Sequence, residues 1–486
     1  MGMGKIRELG ACDGTMCRLR DGDMPLDMST IARLLCADHN TRLYCAHGWA
    51  DIERIAKAVM GRFPHAANPS QDGWRGSFSL RKHWYTFALR FNGVAVDFAD
   101  INNITRDSDV DVSRETFGGE DDLTTTWNIV RTIIEHRLDG TTIGAMALHD
   151  YIGGDIKRFI RNFPALPQDD YRRMRPAYFG AYIEARPGEY ENCSSWDVNS
   201  LYPWALCQRM PCGAPEWYDG PYETDPDMPL HVDVLTFRAD LKPGGLPTLT
   251  DILPAWDYEG CRPESTYGYV TMPLSDIDQT LLKANYDVNI YEHVGGWKFR
   301  ANRGYFESYV AEWFHVKQSA TGVRRRMAKL MLNALVGKLG AAINRPTLMP
   351  ELDNDGNLVF EVNGAPHHSL SYLPVALYVN AYGRKVITET IAANRGRVIY
   401  ADTDGIIVSG AESPQGITVG DGLGEWKNDH NYERLRILGV RKYCGIETDG
   451  TQTMRLSGVH RSAPIPYDEF TAGARHRNDW GGEFVL

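Results

Sequence analysis

Nowhere in the 486 residues does an apolar run approach the roughly 18 residues of a membrane-spanning helix. The opening MGMGKIRELG has no apolar signal core, and Ile6 stands where a myristoylation signal wants Ser or Thr, so membrane insertion, secretion and acylation are all unexpected. The nine cysteines form no CxxC pair and are odd in number, which fits reduced thiols in a cytoplasmic protein better than a disulfide framework or zinc ribbon. Basic residues are in deficit, 52 Lys and Arg against 63 Asp and Glu, a net charge of −11. A phosphate-binding role would therefore have to rest on local clustering. Internal repeats and low-complexity tracts are absent, and 43% hydrophobic with 24% charged residues is ordinary globular usage. At about 150 residues per domain, the length accommodates about three units.

The clustering exists. From Lys317 to Arg345 the chain carries Lys317, Arg324, Arg325, Arg326, Lys329, Lys338 and Arg345 and no acidic residue. Residues 323–339 read as a helix, on which Arg325, Lys329 and Asn333 share a face at i, i+4 and i+8, with Val336 near it at i+7 from Lys329. Leu330, Met331, Leu332, Leu335 and Leu339 supply its apolar side. A second basic stretch runs from 427 to 442, and backbone binding through both would make affinity for a polyanion strongly salt-dependent.

Punctuation divides the rest. Asp107 to Asp122 reads as an acidic surface loop, and the helix-like DYIGGDIKRFIRNF ends a first unit near Pro164 to Pro167. SSWDVNSLYPWAL reads as an apolar strand ending at Asp197, a turn, and a helix start marked by Pro203. VITETIAANRGRVIYADTDGIIVSG reads as helix, strand, tight acidic turn and strand. TLMPELDNDGNLVFEV is a further hairpin with Asp355-Gly356 at its turn.

Asp402 and Asp404 lie two apart at the tip of an apolar hairpin, where strand alternation would send both carboxylates to one side. On its own such a turn is as readily a hydrated surface feature. Asp197, ending another apolar strand before the polar Asn199, Ser200 and Tyr202, is the third carboxylate that Mg²⁺ chemistry calls for, and its bland alternative is a helix cap. Carboxylates on two elements and cations on a third form a parts list for nucleotidyl transfer.

The segments Asp197-Val198-Asn199-Ser200-Leu201-Tyr202-Pro203, Lys329 to Gly337 (KLMLNALVG) and Tyr400-Ala401-Asp402-Thr403-Asp404 resemble, in order and type, motifs A, B and C of family B DNA polymerases. Tyr178-Phe179-Gly180-Ala181 resembles the YxG(G/A) motif of the protein-primed branch of phages and linear plasmids, and Arg441-Lys442-Tyr443 resembles its KxY motif. The resemblance covers about residues 150 to 475. It implies a mixed α/β (α+β) right-hand fold: a ribonuclease-H-like exonuclease domain over 1–165, linker and palm over 166–249, a first insertion over 250–306, fingers over 307–342, a second insertion over 343–369, palm again over 370–425, and thumb over 426–486.

The same resemblance implies site roles. Asp197 and Asp404 would hold two Mg²⁺ ions, for which Mn²⁺ can substitute, with the Val198 carbonyl helping and Asp402 beside them. Leu201 and Tyr202 would face the incoming nucleotide, Tyr202 as the gate excluding a 2′-hydroxyl. Lys317, Arg325, Lys329 and Asn333 would meet the nucleotide, and Tyr178, Gly180, Ala181, Arg441, Lys442 and Tyr443 the DNA. The implied partners are primer-template, dNTPs and a terminal protein, for a monomer in a bacterial host's cytoplasm. The insertions imply strand displacement.

Departures accompany the matches. Val336 stands where the family has a base-pair-lining Tyr, Ala334 replaces Ser, Gly405 replaces Ser, and Arg441 replaces Lys. In the amino-terminal unit Tyr151 and Asp155 match the third exonuclease motif, YxxxD, in a helical setting, and Asp51 matches the second, with His47 and Ala50 where the family has Asn and Phe. The first motif has no match, since Asp13 lacks a Glu two residues on. Two-metal hydrolysis needs its full ligand set, so weak or absent proofreading is expected. The alternative activities are a non-catalytic DNA-binding replication-initiation protein of the same fold and a primer-independent family B polymerase.

Overall fold

The computed structural model describes residues 9–12, 15–18, 31–32, 35–36, 40–45, 48–79, 85–105, 122–249, 264–343, 347–363, 370–410, 412–459, 464–478 and 482–486. Asp13 and nearly all of the acidic 107–122 loop fall outside them. In chain order the strands are β1 (Leu9–Cys12), β2 (Thr15–Arg18), β3 (Thr41–Cys45), β4 (Gly73–Ser79), β5 (Tyr85–Phe91) and β6 (Val94–Asp100). Next come β7 (Ile183–Ala185), β8 (Gly188–Val198), β9 (Met210–Asp219), β10 (Leu230–Leu241), β11 (Val270–Ser275) and β12 (Tyr286–Asn302). The last are β13 (Thr347–Leu352), β14 (Leu358–Asn363), β15 (Val398–Asp402), β16 (Gly405–Ser409), β17 (Trp426–Gly439), β18 (Lys442–Glu447), β19 (Gln452–Leu456), β20 (Arg475–Arg477) and β21 (Glu483–Val485).

Two compact units interleave along the sequence: Met1–Phe159 with Ala311–Ser371, and Ile160–Val310 with Tyr372–Leu486. The basic helix and the 343–369 hairpin thus belong with the amino-terminal segment, whereas the domain order read from the sequence is linear. Among the described residues no helix is long and apolar enough to cross a membrane.

In the first unit a six-stranded sheet has the order β14-β13-β4-β5-β6-β3, with only β3 and β6 parallel. Alternate residues of β5 are buried, and Phe87 and Leu89 meet Ile52, Ile55, Ala56 and Val59 of the helix Gly48–Met60, whose spacing puts them on one face. The expected hairpin forms as β13 and β14. It joins the sheet edge through Thr347↔Ser79 and Leu348↔Phe78. Its turn is held by the Asp353 carboxylate, which accepts from the Asp355 and Asn357 N–H groups, and by Gly356 at φ 75°.

The basic helix spans Gly322–Leu339 and packs on the helices Asp122–Glu135 and Ile143–Ile152. Met327, Ala328, Met331, Leu332, Leu335 and Leu339 are buried. This buried stripe fixes which side faces outward.

In the second unit an antiparallel seven-stranded sheet has the order β19-β18-β17-β8-β16-β15-β7, and a four-stranded sheet the order β11-β10-β12-β9. The helix Leu373–Ala393 covers the larger sheet. Its Ile387 and Ile391, one turn apart, pack with Val198, Ala401, Ile406, Val408 and Trp426. The apolar strands that carry the acidic residues are therefore anchored from below by a continuous core, which leaves their ends to hold polar groups in place.

Candidate functional site

The larger sheet of the second unit collects the motif A and motif C residues in one row. Asp197 on β8 is the register partner of Gly405 on β16, and Gly405 that of Asp402 on β15. Val198 N–H donates to the Asp404 carbonyl at 2.8 Å, tying the two motifs together across the strand ends. A Cβ on Gly405 would lie 3.2 Å from Asp197 Oδ1 and 3.1 Å from the Trp196 carbonyl. A side chain there would crowd the Asp197 carboxylate, which would have to give by a few tenths of an ångström.

Strand alternation does not deliver Asp404. Thr403 takes the left-handed conformation at φ 63°, and Asp404 N–H donates to the Asp402 carbonyl at 2.8 Å. Asp404 lies in the tight turn between the end of β15 at Asp402 and the start of β16 at Gly405. The expectation drawn from period-2 strand geometry therefore does not apply at Asp404.

Asp402 is held by Arg441. The guanidinium donates Nε–H to Oδ2 at 2.8 Å and Nη2–H to Oδ1 at 2.9 Å, and Thr403 Oγ1 adds a donor to Oδ1 at 2.8 Å. Burial would raise the Asp402 carboxyl, but the hydrogen bonds from Arg441 and Thr403 and the nearby Arg441 charge outweigh it and hold it below the ordinary carboxylate range. Arg441 is itself at φ 55°, and its N–H donates to the Tyr400 hydroxyl at 3.0 Å. Tyr443 packs edge-on against Tyr400, ring centroids 5.2 Å apart. The KxY-like motif thus supplies a carboxylate clamp, and Lys442, on β18, is partly exposed. The 427–442 stretch is not one cationic face either, because Arg436 is bonded to Glu189 and to the Tyr467 and Phe470 carbonyls.

Tyr202 sits in the first turn of the helix Leu201–Leu206, which follows Ser200 in the left-handed conformation at φ 58°. Burial, then the charge of Asp404, pushes its phenol up to about 12. Its ring lies against Gly383 of the long helix, where an added Cβ would stand 3.3 Å from Tyr202 Cε1. Leu201 is buried beneath it.

Sequence reasoning missed two supports. The first is Arg384, 1% exposed, which pairs with Asp278 through two hydrogen bonds of 2.9 and 2.8 Å. Its remaining nitrogen donates to the Phe179 and Gly180 carbonyls, both at 2.8 Å, and its plane stacks over the Phe179 ring at 3.8 Å. Asn380 Nδ2 donates to the Phe179 carbonyl as well. The Tyr178–Ala181 loop is therefore fixed from behind, with Tyr178 under the Arg175 guanidinium. An arginine within an apolar helix was the available signal. The second support is the 420–425 loop: Asn199 N–H donates to the Glu425 carbonyl, Gly424 N–H to the Asn199 carbonyl, and Asn199 Nδ2 to the Asp421 carbonyl.

In the first unit, Arg325, Lys329 and Asn333 are exposed together as their spacing predicts. Arg325 donates to the Lys317 carbonyl at 2.6 Å. Val336, expected near the same face, is instead 5% exposed in the packed interior, and Lys338 is lowered by burial. Arg324 lies against Glu135, the last residue of the neighbouring helix, and His136 just beyond it.

The exonuclease-motif residues do not share a helix. The helix bearing Tyr151 ends at Ile152 because Gly153 and Gly154 take φ 57° and 83°. Asp155 is exposed beyond that break, accepting from Arg158 N–H at 2.9 Å as a cap of the helix Ile156–Asn162. This corrects the expected helical setting. Asp51 falls in the helix Gly48–Met60, and its side chain lies outside the described set.

Among the described residues, no group of three or more His, Cys, Asp and Glu could cage a metal. Asp197 and Asp404, at strand ends joined by the Val198 N–H bond, are nevertheless hard oxygen donors of the kind a divalent ion would take while keeping water and substrate oxygens for the rest of its shell. Asp402, neutralised by Arg441, does not belong to that donor set.

Residues 126–421 match the family of DNA polymerase type B, organellar and viral. The chain is 30% identical over 324 residues to the DNA polymerase of Bacillus phage Nf, 63% of this chain and 55% of that one. It is also 30% identical over 319 residues to the DNA polymerase of Bacillus phage phi29, again 63% and 55%. The matched stretch thus spans about half the length of these relatives. In fold it is similar to phi29 DNA polymerase complexed with primer-template DNA and incoming nucleotide substrates, with a TM-score of 0.80 at 23% identity over 94% of this chain and 92% of that one. A match over more than half of its residues, carried on this mixed α/β fold, makes the chain a member of the organellar and viral type B DNA polymerase family.

Proposed function

We propose that this chain is a template-directed DNA polymerase that adds deoxynucleotides to a primer 3′-hydroxyl or, at initiation, to a terminal-protein hydroxyl. The observation that carries the reading is the Asp197–Asp404 pair, tied together by the Val198 N–H bond and set beside Tyr202 in a chain of this family. Two Mg²⁺ ions held by Asp197 and Asp404 would supply nucleophile activation and leaving-group stabilisation. Asp402 stays with Arg441 and positions the turn that carries Asp404. Tyr202, packed against Gly383, presents a ring edge against which a 2′-hydroxyl would collide.

Lys317, Arg325, Lys329 and Asn333 are proposed as nucleotide contacts, the exposed cations neutralising triphosphate charge as pyrophosphate leaves. Tyr178, Gly180, Ala181, Lys442 and Tyr443 are proposed for DNA, and the β13–β14 hairpin for strand displacement. Proofreading is proposed to be weak or absent, and the enzyme to act as a monomer in the cytoplasm of a bacterial host.

The test is extension of a labelled primer-template with Mg²⁺ and either dNTPs or NTPs, beside Asp404→Asn. Extension with dNTPs alone, lost in the variant, is expected. A wild-type chain that binds the template without extending it would instead mark a non-catalytic DNA-binding protein.

A further inference from the structure

The row that holds the two motif aspartates continues one strand further. Lys427 on β17 is the direct register partner of Asp197 on β8, so five strands contribute Lys427, Asp197, Gly405, Asp402 and Ile183 in line. Directly opposed residues in an antiparallel pair project from the same face, with Cβ atoms about 4.5–5.5 Å apart. Lys427 therefore rises on the face that bears the Asp197 carboxylate. Arg441, by contrast, follows β17 in the turn before β18 and reaches Asp402 with its guanidinium.

The two cations are used differently. Arg441 closes a bidentate clamp on Asp402 with a half-buried guanidinium. Lys427 Nζ instead contacts Asp429 Oδ1 at 2.6 Å, two residues along its own strand, and its side chain is 46% exposed. A register shift between Asn428 and His430 places Asp429 as the extra residue of a bulge, the device by which a strand re-aims one side chain. An ammonium that close to Asp197 would otherwise pair with it and compete with a metal for its oxygens. Asp429 gives it another partner, and a single exposed ion pair of this kind contributes only about 0–1 kcal/mol, so a phosphate can displace it.

We propose that Lys427 is a positioning residue for the primer strand: its ammonium, parked on Asp429 in the free protein, contacts a backbone phosphate close to the primer 3′ end beside Asp197. This rests on the polymerase reading above. Arg436 and Arg441 do not fill the role, since Arg436 is engaged by Glu189 and two backbone carbonyls and Arg441 by Asp402.

The experiment measures binding of a fluorescent primer-template by anisotropy across a salt series, with extension kinetics in parallel, for wild type, Lys427→Gln and Lys427→Arg. Loss of one phosphate contact is expected to weaken Lys427→Gln roughly threefold to tenfold at low salt and to flatten the slope of log affinity against log salt by about one ion. Lys427→Arg is expected to restore the slope, and both variants to melt like wild type. A Lys427→Gln protein with wild-type affinity and slope that still extends primers overturns the assignment and leaves the polymerase reading standing. A wild-type chain that neither binds nor extends the duplex overturns both.

Discussion

Arg441 and Asp402 face each other as a planar fork on a carboxylate, 2.8 and 2.9 Å apart at the two contacts, although 39 residues separate them in sequence. The pairing decides what Asp402 is for. A carboxylate with both oxygens bonded to a guanidinium has less to offer a metal, and we propose that the middle of the three acidic residues anchors the turn that presents Asp404. The guanidinium makes that anchor bidentate, which a lysine at 441 could not do.

Removing the clamp leaves a partly buried charge without its partner. Arg441→Ala is expected to cost about 1–3 kcal/mol in urea unfolding. Arg441→Lys should fall between it and wild type. Because the two groups act as a unit, Asp402→Asn in the Arg441→Ala background is expected to be far less damaging than the sum of the single changes. Additive single and double variants would show that the contact carries no coupling.

The buried pair beneath the Tyr178–Ala181 loop has more at stake. Arg384 and Asp278 are 1% and 5% exposed, so Asp278→Asn strands a guanidinium in the interior, at an expected loss of about 3–5 kcal/mol. Replacing both partners by apolar residues, Arg384→Met with Asp278→Leu, should recover part of that stability. It should not recover the loop, whose Phe179 and Gly180 carbonyls would still lack their donor. Denaturant midpoints report the first effect, and proteolytic cleavage within 175–182 the second.

What could be read from the chain alone divides along a physical line. Asp197, Asp402 and Asp404 announce themselves because charged residues interrupt apolar strands, and Arg325, Lys329 and Asn333 because helical periodicity exposes them together. The partners of those residues are another matter. Arg384 with Asp278, and Arg441 with Asp402, join positions 106 and 39 apart, and nothing in local pattern encodes such pairings. The failure at Val336 has the same origin: a position seven residues from Lys329 sits only approximately on its face, and packing against the neighbouring helices settled which way it turned. The YxxxD match failed locally instead, because spacing alone ignores two adjacent glycines that end a helix.

A pH dependence follows from Asp276, whose carboxyl burial pushes up to about 6 against the hydrogen bond from Tyr378. The Tyr378 hydroxyl has one proton and two acceptors within reach, the His231 carbonyl at 3.0 Å and Asp276 Oδ1 at 2.7 Å. A protonated Asp276 resolves the conflict by donating to the phenol oxygen. Between about 3.9, where the unfolded carboxyl titrates, and about 6, the folded state binds more protons, so this group's contribution to stability falls as pH rises through that window. Asp276→Asn should remove the fall. At pH 8 the variant is expected to gain on the order of 1–2 kcal/mol over wild type, less about 0.5 kcal/mol for the lost charge in the first helical turn, and to converge with it near pH 4. Parallel unfolding curves at every pH would contradict the assignment.

The contact between Tyr202 and Gly383 gives the sharpest test of the proposed gate, because it can be moved without changing Tyr202 itself. An added methyl at 383 would stand in ordinary contact with Leu201 Cδ2 at 3.7 Å but 3.3 Å from Tyr202 Cε1, close enough that the ring or the helix must yield by a few tenths of an ångström. The helix bearing Gly383 is buried along much of its length and packed on the sheet, whereas the Tyr202 ring is only partly buried. The ring should therefore give way, toward the space a nucleotide sugar would occupy. Gly383→Ala is expected to lower incorporation of deoxynucleotides on the order of tenfold in kcat/KM, with thermal stability changed little, while ribonucleotides remain excluded. Tyr202→Val, which removes the ring, is expected to do the opposite and admit ribonucleotides. If Gly383→Ala left deoxynucleotide incorporation untouched while Tyr202→Val still opened the site, the ring would be held by something other than this helix. If neither variant altered sugar discrimination, Tyr202 would be a packing residue and the gate would lie elsewhere.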